Sequence, residues 1–173
     1  MRRSAGVVLG LLSALTFSVA PVGAQTPESG AWLVFRQVVL DPTTYAPAVV
    51  SYTAERLDWS SSQVFFDRGY VEQNSQFTIS GFPSDLPLSY SAGKGVITTN
   101  ALADLGSSVV NNVTTRVIER VLLKRYPEKK TLIRTLGWIE RISFAATLAS
   151  RQSAGHFHQW RRNIRLAGEL GFR

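Results

Sequence analysis

The sequence predicts an all-α fold, a bundle of four to five helices. Three observations predict it. Apolar residues recur at spacings of three and four over long segments. Proline and glycine stand at the edges of those segments: Pro47 and Gly69 frame one, Pro127 closes another, and Gly168 and Gly171 end the last. The composition, 45% hydrophobic and 18% charged, is that of an ordinary folded chain. A length of 173 residues suits one domain.

The N-terminus carries a sorting pattern. Arg2 and Arg3 precede an uncharged apolar stretch from Ala5 to Ala20. Pro21 breaks the stretch, and Val22-Gly23-Ala24 offers small residues to a signal peptidase. This predicts a signal peptide over residues 1–24 and a single helical domain over 25–173. The run is shorter than the ~20 residues a spanning helix needs, which favours cleavage over anchoring. The expected location is the periplasm or cell envelope of an exporting cell, with membrane association as the alternative to a soluble state.

The elements follow in order. Ala31 to Leu40 places Trp32, Phe35 and Val39 on one helical face, although Val-Val-Leu also suits a strand. Asp41-Pro42-Thr43-Thr44 is a turn signal. A first long helix runs from about Pro47 to Arg68, with Val50, Ala54, Leu57, Ser61, Val64 and Phe65 on one face. Residues 70–90, with Gly81, Pro83 and Pro87, read as a connecting loop. A second helix runs from Ser89 or Ser91 to Arg125. Its apolar row is Leu102, Leu105, Val109, Val113, Val117 and Val121. A third spans about Glu128 to Ser153. Leu132, Leu136, Ile139, Ile142, Ala146 and Ala149 form its expected core face, and Arg134, Arg141 and Gln152 its wet face. A fourth, Gly155 to Leu170, shows Phe157, Trp160, Ile164 and Ala167 on one side and His158, Arg161, Arg162 and Arg165 on the other.

Composition excludes several chemistries. No cysteine means no disulfide, no thiolate-held metal or iron–sulfur centre and no thiol nucleophile. His156 and His158 are two apart, about 200° around a helix, so they do not converge on a metal. No nucleophile elbow, phosphate loop or metalloprotease helix is present. No cofactor and no metal site is expected.

Charge is lopsided. Residues 25–109 carry four basic and eight acidic groups, and residues 110–173 carry thirteen and four. The basic half predicts an anionic partner, an anionic membrane surface or an acidic protein, with Arg161, Arg162 and Arg165 as the contacting residues. An exported chain seldom meets nucleic acid, which is therefore not an expected partner.

Polar residues in apolar surroundings mark the candidate site: Asp58, Glu72, Asn74 and Glu140. Asp58 is expected to be buried and hydrogen-bonded to Asn74, to backbone beyond Gly69 or to a basic side chain. Glu140 has Ile133, Leu136 and Phe144 as wheel neighbours, and an unpaired carboxylate there is costly. Arg116 or Arg120 is its expected partner.

Leu57-Asp58-Trp59-Ser60-Ser61-Ser62, then Gly69, Glu72-Gln73-Asn74 and Lys94 form a recognisable series. It resembles a bacterial family of small helical, often membrane-embedded proteins of unknown function. The family's pattern is an Asp followed by Ser or Thr, a Gly, Glu-x-Asn-Pro and a helix with a Lys. Ser75 stands here in place of the Pro. The resemblance covers about residues 57–94 and implies no activity, substrate or cofactor.

The functional expectation is an exported, non-catalytic binding or structural bundle of the cell envelope. The alternatives are a small integral or peripheral membrane protein, and an enzyme using Asp58, Glu72 and Glu140 as buried carboxylates.

Overall fold

A computed structural model describes residues 30–172. The expected signal peptide, residues 1–24, lies outside the described residues. Four α-helices form the bundle: α1 Gly30–Val39, α2 Ala46–Phe66, α3 Tyr90–Arg125 and α4 Lys130–Glu169. The all-α expectation holds among the described residues, where extended pairing is confined to two isolated antiparallel bridges, Glu72 with Asp85 and Thr78 with Pro87.

Local chemistry sets the boundaries. Asp41 accepts a hydrogen bond from the Thr43 amide at 3.1 Å and caps a short 3-10 turn, Pro42–Thr44, that links α1 to α2. Gly69 takes a φ of +82°, a conformation that costs a side-chain-bearing residue free energy, and turns the chain out of α2. The Ser89 hydroxyl accepts from the Ala92 amide and caps α3. Another 3-10 turn, Pro127–Lys129, joins α3 to α4 at one end of the bundle, here called the hairpin end. The opposite end holds the loop 70–88 and the C-terminus.

The separate third and fourth helices expected from sequence are one element. α4 runs through Gly155 for 40 residues, about 60 Å. One helical glycine costs only about 1 kcal/mol relative to Ala. Packing of α4 along α2 and α3 outweighs that.

The larger correction concerns which faces are buried. Much of the expected apolar rows points outward: Leu102, Val117 and Val121 on α3 and Leu132, Leu136, Ile139 and Ile142 on α4 are exposed, Leu136 to 56%, while Leu105, Val109 and Val113 are half-buried. Ile164 is exposed as well, and Asn163 beside it is buried. The buried row of α3 is Gly93, Ile97, Asp104, Ser108, Asn112 and Thr115. That of α4 is Ile133, Gly137, Arg141, Ala145, Ser153 and Asn163. Arg141, expected on the wet face, is only 5% exposed. Both interior rows obey helical spacing, but they are built of small and polar residues. Small residues let helices approach closely, which leaves no room for the large apolar side chains between them. A Cβ on Gly137 would land on the Glu119 carboxylate, and one on Gly93 would land on the Trp59 ring.

Polar groups in that seam find partners across helices. Arg141 donates to Asp41 through Nε at 3.0 Å and to Glu119 through Nη1. Arg116 reaches the same Asp41 oxygen at 2.7 Å. Ser51 donates to Asp104 at 2.5 Å. Asn112 donates to the hydroxyls of Thr43 and Thr44 at 3.0 and 2.7 Å. Apolar packing concentrates elsewhere, where Trp59 stacks on Phe77 at a centroid distance of 5.0 Å above Ile97. No helix among the described residues is long and apolar enough to cross a membrane.

Two substitutions separate these effects. The Ser108 hydroxyl is buried without a partner, a condition that costs about 1–3 kcal/mol. Ser108→Ala is expected to leave stability unchanged or raise it by about 1 kcal/mol. Gly137→Ala displaces Glu119 from Arg141 and is expected to cost about 3–5 kcal/mol, the loss seen when one partner of a buried ion pair is removed. Denaturant melts of the two variants check both.

Candidate functional site

The site lies where α2, α4 and the loop 70–88 meet. Asp58 sits on the part of α2 that extends alongside α4. Its backbone carbonyl accepts hydrogen bonds from the Ser61 and Ser62 hydroxyls at 2.9 and 3.0 Å. Its carboxylate faces α4. Oδ2 meets His156 Nδ1 at 2.8 Å, and Oδ1 accepts from Asn163 Nδ2 at 3.3 Å. Asn163 also donates to Ser61 and Ser62, and its Oδ1 accepts from Gln159. One amide thus ties α4 to three residues of α2.

Two further carboxylates approach this pair. Glu55, one turn before Asp58, is 4% exposed and accepts from Asn100 Nδ2 of α3 at 2.9 Å. Glu72 comes from the loop. Its backbone pairs with Asp85, and its Oε1 accepts from the Asn74 amide at 2.7 Å. The loop is held down by Phe77 on Trp59, whose indole N–H donates to the Tyr90 carbonyl at 3.2 Å.

These groups line two spaces that share Asp58, Ser62, Glu72 and Asn74. A niche of about 20 Å³, room for one water molecule, is bounded by Glu55, Asp58, Ser62, Glu72, Asn74 and His156 together with Trp59 and Phe77. Asp58, Ser62, Glu72 and Asn74 also form the floor of an outer cleft of about 570 Å³. Phe65, Phe66, Tyr70 and Leu166 give that cleft an apolar wall, and Gln159, Arg162 and Asn163 give it a polar one.

Electrostatics follow from the crowding. The hydrogen bond from Asp58 lifts the His156 imidazole above its ordinary range against the opposing effect of burial. The charges of Asp58, Glu55 and Glu72 add to that lift. Burial raises the Glu72 carboxyl, the hydrogen bonds from Asn74 and Gln73 oppose it, and the nearby Asp58 charge adds to it. Among the described residues no group of three or more His, Asp and Glu side chains is arranged to hold a metal ion.

Of the four polar residues marked by sequence, Asp58, Glu72 and Asn74 come together. Asp58 pairs with a basic side chain, His156, and with Asn163, and Asn74 lines the niche beside it. Glu140 does not join them, which corrects the expectation of a buried carboxylate. It lies toward the hairpin end, is exposed, and accepts from Thr115 at 2.5 Å and Asn111 at 3.4 Å. Arg116 is engaged by Asp41, and Arg120 donates to the Gly30 carbonyl, so neither reaches Glu140. The cause is the inverted packing of α4, which buries Arg141 and turns its neighbour outward. Arg161, Arg162 and Arg165 are exposed as a basic surface. Arg162 borders the cleft, and Arg165 lies 3.9 Å from Glu169.

Sequence reasoning missed Glu55, His156 and Asn163. Glu55 was legible, since it stands three residues before Asp58 on the same helical face. His156 and Asn163 were not, because their partners lie about a hundred positions away.

No protein-family model, curated protein or solved structure matches this chain.

The pH dependence of stability tests the site. With its folded pKa raised, His156 stabilises the fold fully below about pH 6.5, and that stabilisation is lost as pH rises through the higher folded value. Burial of Glu72 acts in the same direction, favouring the fold below about pH 4.5 and opposing it as pH rises past that value. The melting temperature is expected to fall between pH 6 and pH 9. His156→Gln should flatten that fall. Asp58→Asn should cost about 2 kcal/mol at pH 6, the scale of a hydrogen bond to a charged group, and less at pH 9. An equal loss at both pH values would show that the pair is not titrating.

Proposed function

We propose that this chain is an exported, non-catalytic binding bundle of the cell envelope, with its ligand in the cleft above Asp58, Glu72 and His156. The export reading rests on the N-terminal sequence pattern: paired arginines, an uncharged apolar run and small residues ending at Ala24. The binding reading rests on one observation. Ionisable groups from three separate parts of the chain converge on the floor of a cleft large enough for a small molecule. A small ligand bearing hydrogen-bond donors or an amine at one end and an apolar body at the other fits the lining. Its polar end meets Asp58 and Glu72, and its body lies along Phe66, Tyr70 and Leu166. Asp58, Ser62, Glu72 and Asn74 all border this cleft.

One feature favours acid–base catalysis as the second reading. Asp58 holds His156 through Nδ1, the arrangement by which a carboxylate orients a histidine base.

A thermal-shift series of alkyl amines, alcohols and carboxylates of equal chain length tests the binding reading. Amines are expected to raise the melting temperature most, and Glu72→Gln should remove the difference between amines and alcohols. Equal shifts for all three series, unaltered in Glu72→Gln, would place binding elsewhere than the cleft floor.

A further inference from the structure

The distribution of charge between interior and exterior is opposite to that of a water-surrounded bundle. Charged groups lie in the seam. Arg141, Asp104 and Glu55 are each 5% exposed or less. On the outside of α3 no exposed residue between Lys94 and Lys124 is charged. The exposed side chains there include Leu102, Val110, Val117, Ile118, Val121 and Leu122. On α4, between Arg134 and Arg151, Glu140 is the one exposed charge, and Leu136, Trp138, Ile139 and Ile142 stand outward. No charged residue of α2 is exposed from Ala46 to Phe66.

This surface is a belt of defined height. Leu102 to Leu122 climbs about 30 Å along α3, and Arg134 to Arg151 about 25 Å along α4. The hydrocarbon core of a bilayer is about 30 Å thick. Cations bound the belt on both sides. Lys124, Arg125, Lys129, Lys130 and Arg134 are exposed at the hairpin end, against the single acid Glu128. Arg151, Arg161, Arg162 and Arg165 are exposed toward the cleft end. Trp138 and Tyr126 sit near the hairpin-end boundary, where aromatic side chains favour the lipid–water interface.

Gly30, at the start of α1, accepts from Arg120 near the hairpin end. Two exposed charges fall within the belt. Glu140 is satisfied by Thr115 and Asn111. Arg36 lies on α1 and has a side chain long enough to reach the headgroups. Interior charges such as Asp104 on α3 and Arg141 on α4 interrupt the apolar runs of these helices along the sequence, while the outward faces stay apolar. Paired charges facing a bundle interior are the form in which membranes tolerate them.

We propose that the belt is seated in the acyl layer of an anionic lipid bilayer, with the cations at its two borders on the lipid phosphates and the cleft outside the layer. The surface is separate from the cleft, and its test needs no cleft ligand.

The chain has no cysteine, so single-cysteine labelling reports on it cleanly. Full chain carrying Val110→Cys, Val117→Cys or Leu136→Cys, labelled with an environment-sensitive fluorophore, is mixed with vesicles of phosphatidylglycerol and phosphatidylcholine. All three labels are expected to shift to the blue and to be quenched by brominated acyl chains. A label at Ser84→Cys, in the loop beside the cleft, should stay water-like. Flotation with the vesicles should survive 1 M salt, because buried apolar area does not depend on ionic strength. Flotation removed by salt, with water-like belt labels, would reduce the contact to headgroups and overturn the proposal. Belt labels that turn blue without lipid, in a soluble species of doubled mass, would assign the face to a second copy and overturn it equally. Helical circular dichroism of each labelled variant in detergent guards against reading a misfolded chain as a negative result.

Discussion

Arg141 is the residue on which the arrangement of the bundle turns. Its guanidinium is almost wholly buried and binds Asp41, in the link between α1 and α2, and Glu119, on α3. A buried cation cannot remain there without partners, since the desolvation it suffers is offset only by paired and hydrogen-bonded anions. The link, α3 and α4 must therefore arrive in one register. Gly137, one turn before Arg141, makes that register possible by leaving space for the Glu119 side chain. With Arg141 fixed inward, the 3.6-residue repeat determines the rest of α4. Ile133, Gly137 and Ala145 follow it inside, while Leu136, Ile139 and Glu140 turn outside.

The same rule governs the cleft end. Asn163 and His156 belong to the inward ridge of α4 one or more turns beyond Ser153, and they meet Asp58 because α2 lies along that ridge. Asp58 is thus both a structural tie and the floor of the cleft. The neighbouring carboxylates are less well compensated. Glu55 has one amide donor and Glu72 the backbone amides of Asn74 and Gln73, and both stand near the charge of Asp58. A site with more carboxylates than cations, open on one side to a cleft with an apolar wall, is suited to receiving a ligand rather than to closing a core.

An interior filled by hydroxyls, amides and ion pairs has a consequence for the exterior. The large aliphatic side chains excluded from the seam gather on the outward faces of α3 and α4. In water such a surface is costly, at roughly 25 cal/mol for each Å² left uncovered. The interior polarity and the exterior apolarity are one fact with two faces, because close helix contact through small residues leaves large ones no other place. Stability of this bundle consequently depends on hydrogen-bond geometry more than on apolar volume, and the compact apolar cluster of Trp59, Phe77 and Ile97 is confined to the cleft end.

The sequence alone determined the helices. Spacing of apolar residues, Pro47, Gly69 and Pro127 located three of the four with boundaries close to those observed. It also brought Asp58, Glu72 and Asn74 into one group, because the Gly69 turn is local and folds the loop back on the end of α2. Which face of each helix is buried was decided only by tertiary structure. Periodicity reveals that a helix has two faces. It does not say which one meets protein, and on α3 and α4 hydrophobicity misdirected that choice because the polar ridge was the buried one. The partners of Arg141 and of His156 were likewise invisible, since Asp41 lies 100 residues from Arg141 and Asp58 lies 98 residues from His156. Local propensity acts over a few residues. A buried charge is settled by whichever distant group the packing delivers.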